Sequence, residues 1–351
     1  MRMFQVCRCG EPLQLNEKPT PQPAGTEVLL KVQAAGVCHS DLHIWDGYYE
    51  LGGGKRLQLL ERGIKLPLTM GHENVGEVIA FGPDAKGVKV GDVRLVNPWM
   101  GCGTCKVCLR GDENLCLKSR NLGVFANGGY STHLLAPHPR HLFDIGDLSP
   151  QQAAPLACSG VTAYSALKKV AGTLHDESLV IIGAGGVGLM GVTLARKMGA
   201  KDVIVVDIDA GKREAATKAG AIATVDGKAP DAVKQIQQLT GGGAWAVIDF
   251  VGSSATAKLG SDALIKGGKL IIVGLFGGDI TVPTPFFPMR AMAIQGSYVG
   301  SLTDMKELLD LVRRTGLPAV PLATRPLSEV NAALNDLRAG KVVGRVVVMP
   351  A

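Results

Sequence analysis

Residues 178–188, SLVIIGAGGVG, constrain the fold more than any other part of this chain. The apolar run at 179–182 has no polar interruption, the pattern of a strand buried on both faces. It feeds directly into Gly183-x-Gly185-x-x-Gly188, and a helix-forming segment follows at 189–198. Strand, glycine turn and helix in that order predict a dinucleotide site. The first glycine makes the tight turn, the second lets a pyrophosphate approach the backbone, and the third lets helix and strand pack closely. Gly186 and Val187 lie at the helix N-terminus, where the phosphates sit. Asp207 closes the next apolar stretch about 20 residues on, where an acid holds the adenosine ribose hydroxyls. A carboxylate there repels a 2′-phosphate, so the expected cofactor is NAD rather than NADP.

Short apolar strands continue at 203–206, 246–250 and 270–273, alternating with helical segments. That alternation predicts an α/β, doubly wound parallel sheet with helices on both faces. The first 150 residues read differently: strands at 28–32, 75–81, 93–97 and 130–135 are broken by turn signals such as Gly82-Pro83-Asp84, predicting an irregular, mostly β domain. Beyond residue 295 come an amphipathic segment at 305–312, a helix near 330–337 and a closing strand at 345–349; periodicity does not assign them to either domain. Residues 46–66, with Gly52-Gly53-Gly54 before Lys55-Arg56, read as a mobile solvated loop. Cys7 and Cys9 alternate on what reads as the first strand, without a functional account.

Composition excludes several classes. With 46% hydrophobic and 19% charged residues the chain is an ordinary globular protein rather than a disordered one. No apolar run approaches the roughly 20 residues of a membrane-spanning helix and no leader is evident, so the expectation is a cytoplasmic protein with no membrane partner. The net charge is +6, but Lys and Arg are scattered rather than gathered into a stripe, which argues against nucleic acid.

Four of the eight cysteines, Cys102, Cys105, Cys108 and Cys116, fall within fifteen residues with the spacing C-x2-C-x2-C-x7-C. Four thiolates on one loop can close a tetrahedron around one zinc. All four positions are then thiolates and none is left for water or substrate, so this zinc is structural. An iron–sulfur cluster is the minority alternative for such a run.

Set beside two further strings, Gly36-Val37-Cys38-His39-Ser40-Asp41-Leu42-His43 and Gly71-His72-Glu73, the sequence resembles the zinc-containing medium-chain alcohol dehydrogenases over essentially its whole length, most closely archaeal-type members. The resemblance implies a GroES-like (chaperonin-10-like) catalytic domain at 1–157, an NAD-binding Rossmann domain at 158–295, and a return to the catalytic domain at 296–351. It implies a catalytic zinc held by Cys38, His72 and Cys158, with Glu73 near it and an occasional ligand. Three protein ligands leave one position open, as a catalytic zinc requires. Polyol dehydrogenases similar to this family usually replace the third ligand by a carboxylate, so Cys158 favours simple alcohols.

A neutral alcohol does not readily give up hydride; a bound metal makes its hydroxyl far more acidic. The released proton needs a path to solvent, and the resemblance places Ser40 at the alcohol oxygen and His43 beyond the cofactor ribose as the relay. It makes Asp41 the hydrogen-bond partner of His72. It assigns His39 to the pyrophosphate, Arg345 to phosphate, Thr162 and Gly274-Leu275-Phe276 to the nicotinamide, Lys212 to the adenosine ribose and Trp99 to the alcohol pocket. A homotetramer, or a dimer, is expected. The remaining alternatives are a polyol dehydrogenase, an NAD(P)H-dependent ketone or aldehyde reductase, and a zinc-free quinone-reductase relative.

Overall fold

The computed structural model describes residues 1–350. Residues 178–296 carry a six-stranded parallel sheet in the order Ala223–Asp226, Asp202–Asp207, Ser178–Ile182, Ala244–Asp249, Leu264–Ile272, Ala293–Gly296. Strand order reverses beside Ser178–Ile182, and in such sheets a crevice opens outside the carboxyl ends of the strands at that point. Alternation explains the uninterrupted apolar run of the sequence. Leu179, Ile181, Val203, Val205, Ala246 and Ile248 enter one core, whereas Val180, Ile182, Ile204, Val206 and Val247 enter another on the opposite face. The outer strands Ala223–Asp226 and Ala293–Gly296, which the sequence reading misses, are short and partly exposed, so neither has that signature.

A second sheet has seven strands. Its main path runs Leu142–Asp144, Val93–Val96, Glu73–Phe81, Val28–Val37, Arg345–Met349, Leu322–Pro326, and His133–Ala136 also pairs with Val28–Val37. The late strand Arg345–Met349 lies antiparallel to Val28–Val37, with Val346 opposite Val37 and Val348 opposite Ala35. Helix Leu302–Thr315 lies elsewhere: its Met305 and Leu308 enter the core that also holds Val161 of helix Ser159–Lys168 and Leu179 of the parallel sheet.

Three local expectations are corrected. Residues 46–66 are not a mobile loop but contain an antiparallel hairpin, Tyr48–Gly52 with Lys55–Gln58. Gly53 and Gly54, with φ of +57° and +75°, form its two-residue turn, whose tight geometry needs positive φ at both positions. The hairpin packs on the loop after Leu264–Ile272: a Cβ at Gly277 would meet the Glu50 carbonyl oxygen at 2.6 Å. The strand expected at 130–135 starts later, because residues 128–130 are laced to 69–71 by bonds from Gly128 N–H to the Thr69 carbonyl (2.7 Å), Gly129 to Gly71 (2.8 Å) and Tyr130 to Met70 (3.0 Å). Cys7 and Cys9 follow strand Arg2–Val6 rather than alternating on it.

Candidate active site and metal centres

Cys38 follows strand Val28–Val37 and caps helix His39–Asp46; His72 immediately precedes strand Glu73–Phe81; Cys158 precedes helix Ser159–Lys168. Three element ends thus converge. Donor atoms of Cys38, His72, Glu73 and Cys158 all lie within 4.8 Å of one another, and all four residues are buried. The Cys38 and Cys158 sulfurs are 4.0 Å apart, against about 3.8 Å for the edge of a tetrahedron with 2.3 Å metal–sulfur bonds.

The histidine supplies the decisive test of fit. His72 Nδ1 lies 3.1 Å from Asp41 Oδ1, while its Nε2 is fully buried without a hydrogen-bond partner. A carboxylate at Nδ1 fixes the proton there and leaves the Nε2 lone pair free for a cation. An orphaned buried nitrogen beside two thiols is costly without one and accounted for with one. Hydrogen bonding from Cys158, opposed by burial, holds the Cys38 thiol well below its usual range, while the same contact and burial push the Cys158 thiol up.

Asp41 acts in two ways at once. Its Oδ2 accepts from the Cys38 backbone N–H at 2.9 Å, capping the helix, and from the Tyr130 hydroxyl at 2.7 Å, while Oδ1 holds His72. Both oxygens of Glu73 are also engaged, Oε1 by the Ser159 N–H at 3.2 Å and Oε2 by the Arg345 guanidinium. Glu73 fits only because residue 36 is glycine, where a Cβ would stand 2.0 Å from Oε2. Burial pushes the Glu73 carboxyl up to about 7, against the pull of Arg345.

The cysteine knuckle closes as its spacing predicts. Sulfur separations of 3.4 Å (Cys105–Cys108), 3.8 Å (Cys105–Cys116) and 3.9 Å (Cys102–Cys108) bracket the tetrahedral edge. Cys116 Sγ accepts from the backbone N–H groups of Cys102 and Lys118; hydrogen bonds from Thr104 bring Cys102 down to about 5, whereas burial pushes Cys108 up to about 12. The lobe also reaches outward: Asn114 Nδ2 donates to the Tyr298 carbonyl at 2.9 Å.

Ser40 and His43 share helix His39–Asp46, three residues apart and therefore on one face. The His43 ring lies 4.7 Å from that of Tyr49 on the hairpin and 5.6 Å from that of His39. Burial and the neighbouring His39 push His43 down to about 4, leaving it neutral with a free lone pair at pH 7. His39 stands exposed at the helix start, with the Lys212 charge among those around it.

On the parallel sheet, Gly183 has φ +92° and the Ala184 N–H donates to Asp207 Oδ2 at 2.7 Å, tying the glycine turn to the end of the next strand. Lys212 lies in the first turn of helix Ala210–Lys218, its N–H taken by Asp209. Thr162 Oγ1 is buried and unpartnered. Gly274 packs so tightly that a Cβ would sit 2.0 Å from the Val251 carbonyl carbon, while Leu275 and Phe276 beyond it are exposed. Arg345 links the seven-stranded sheet to the helix that follows the glycine turn. Paired with Glu73, it lies against Gly186, where a Cβ would meet its Cδ at 2.4 Å. Trp99 is buried, with Nε1 donating to the Ala157 carbonyl at 3.1 Å and its ring 5.5 Å from His72 and 6.1 Å from Tyr298. Sequence reading missed Tyr49, Tyr130 and Tyr298, because an aromatic in a β-rich region looks the same whether it lines a site or fills a core.

These features have counterparts among known proteins. The chain belongs to the zinc-containing alcohol dehydrogenases, with a GroES-like domain joined to a Rossmann-type one. A family model described as an alcohol dehydrogenase GroES-like domain matches residues 24–147, and one described as a zinc-binding dehydrogenase matches residues 186–314. An NAD-dependent alcohol dehydrogenase of Sulfurisphaera tokodaii is 38% identical over 352 residues, covering 100% of both chains. The crystal structure of the alcohol dehydrogenase of Aeropyrum pernix superposes with a TM-score of 0.91 at 32% identity, again covering 100% of both. Acetophenone reductase of Geotrichum candidum, solved in complex with NAD, superposes with a TM-score of 0.85 at 30% identity, covering 99% of this chain and 97% of that one.

Proposed function

We infer that this chain is a zinc-dependent alcohol dehydrogenase that moves hydride reversibly between an alcohol and NAD. The observation that carries the reading is the unpartnered, buried Nε2 of His72 between two cysteine sulfurs, in a centre tied to the glycine turn through Glu73 and Arg345. Cys38, His72 and Cys158 would hold the catalytic zinc, which would supply Lewis acidity to an alcohol hydroxyl, and NAD would supply the hydride acceptor. Glu73 lies among these donors, its oxygens taken by Ser159 and Arg345. Cys102, Cys105, Cys108 and Cys116 hold a second, structural zinc.

Ser40 orients the alcohol and takes up its proton while giving up its own hydroxyl proton, and neutral His43 accepts the relayed proton and releases it toward solvent. Asp207 and Lys212 hold the adenosine ribose, and Gly183 to Gly188 present the helix N-terminus to the pyrophosphate with His39 and Arg345 as counter-charges. Thr162, with its free hydroxyl, and the strand end at Gly274, Leu275 and Phe276 seat the nicotinamide. Trp99 forms an apolar wall suited to primary or secondary alcohols with alkyl or aryl groups.

The chain divides into a catalytic part at 1–157, a cofactor part at 158–295 and a returning catalytic part at 296–351. The edge strand Ala293–Gly296 and the exposed Phe286, Phe287 and Met289 before it support association through that sheet edge, in a cytoplasmic homotetramer. Among residues 1–350 no helix is long and apolar enough to cross a membrane.

The test compares three proteins: as isolated, stripped of metal, and Cys38→Ser. A panel of primary, secondary, benzylic and cyclic alcohols is assayed by nicotinamide absorbance alongside metal content. Two zincs per chain in the intact protein and loss of oxidation in the other two are expected; undiminished oxidation in either overturns the reading.

A further inference from the structure

We propose that Tyr130 is a positioning residue for the metal-binding histidine, acting through Asp41; the proposal rests on the reading of Cys38, His72 and Cys158 as the open zinc centre. Tyr130 and Asp41 are both 0% exposed, and the hydroxyl donates to Asp41 Oδ2 at 2.7 Å, so water does not compete for this bond. A carboxylate's terminal torsion is soft and nearly two-fold. Asp41 Oδ1 aims the His72 ring, so whatever fixes the carboxylate plane fixes the direction of Nε2 as well. The Cys38 N–H holds Oδ2 from one side and the Tyr130 hydroxyl from another. Two donors on one oxygen define the plane where a single donor leaves a hinge.

The ring is set as firmly as the hydroxyl. Gly71, next to His72, has φ +89°, and a Cβ there would meet the Tyr130 ring at 2.6 and 2.8 Å. The tyrosine backbone is held on both sides, its N–H by the Met70 carbonyl at 3.0 Å and its carbonyl by the Phe4 N–H at 2.8 Å. Gly71, Tyr130, Asp41 and His72 therefore form a closed circuit of contacts that begins and ends on the ligand loop. Packing alone would be met by phenylalanine. Among the described residues the hydroxyl has one other acceptor nearby, the Gly36 carbonyl at the long distance of 3.5 Å, so Asp41 is what it serves.

The experiment uses the full-length holoenzyme with cobalt exchanged into the open centre, comparing wild type with Tyr130→Phe. Release of one metal per chain to a competing chelator and the cobalt–thiolate and d–d absorption bands are recorded. Tyr130→Phe is expected to release that metal about tenfold faster, the low end of what outer partners of a ligating histidine contribute. Its bands should shift, with the knuckle metal retained. An unchanged release rate with unchanged bands overturns the proposal. Should the variant fail to fold, 3-fluorotyrosine placed at position 130 alone keeps the shape and strengthens the donor; the bands must then move, and unmoved bands refute the idea. A wild-type chain that binds metal only at the knuckle refutes the underlying reading instead.

Discussion

Gly185 and Gly188, the second and third glycines of the Gly183-x-Gly185-x-x-Gly188 turn, have different neighbours. At Gly188 a Cβ would stand 1.7 Å from the Gly183 carbonyl oxygen, 1.3 Å inside the 3.0 Å limit that real Cβ atoms observe. The obstacle is backbone held by strand Ser178–Ile182, so it cannot rotate aside. Overpacking ordinarily costs about 1–3 kcal/mol, and this contact belongs at the upper end. About 3 kcal/mol corresponds to a fall in Tm of about 4 °C for a chain of this size. At Gly185 nothing lies within 4 Å of the added atom, and φ is −71°, which alanine adopts freely. Gly185→Ala is therefore expected to leave Tm unchanged or to gain about 0.4–1 kcal/mol through the unfolded state. Its methyl group occupies the approach of the pyrophosphate, so the Kd for NAD should rise at least about tenfold, about 1.4 kcal/mol. Differential scanning calorimetry and a fluorescence titration with NAD measure both. A Gly188→Ala protein that melts within about 1 °C of wild type, or a Gly185→Ala protein that binds NAD undiminished, would refute the assignment of packing to one glycine and ligand approach to the other.

Two further outcomes follow from side chains already described. His141 is buried, its Nε2 accepts from Arg140 Nε at 3.2 Å, and burial lowers its pKa from the ordinary 6.5 to about 3. The unfolded chain takes up this proton first, so its contribution is complete above pH 6.5 and is lost as pH falls toward 3; His141→Asn should show a shallower fall in Tm from pH 7 to 4, and parallel curves would contradict this. Asp207→Asn should raise the ratio of kcat/KM for NADP over NAD about tenfold by removing the charge opposed to a 2′-phosphate, and an unaltered ratio would show that another group sets the preference.

Legibility in the sequence tracked how local each feature is. The glycine turn and the knuckle are each written within about fifteen residues, because one turn and one loop meet their requirements. Cys38, His72 and Cys158 are brought together by three different element ends, and no period links them; only the resemblance to a family assembled the set. Residues 46–66 were misread because Glu50, Lys55 and Arg56 are partly or largely exposed, so the hairpin strands show no apolar alternation, and paired glycines suit both a flexible loop and a tight turn. Asp41 was assigned to His72 by resemblance, yet nothing near it in sequence announces Tyr130, which lies 89 positions away.

The placement of Arg345–Met349 against Val28–Val37 sets a timetable for biosynthesis. One flank of an early strand waits for a partner translated about 300 residues later, about 15–60 s at ordinary ribosome speeds. Throughout that interval the edge at Ala35 to Val37 is open to pairing with foreign strands, and Glu73 lacks the guanidinium that neutralises it. The parallel sheet, whose six strands lie between residues 178 and 296, suffers no such delay. The six strands of the parallel sheet are thus all translated before the flank of Val28–Val37 receives its last partner.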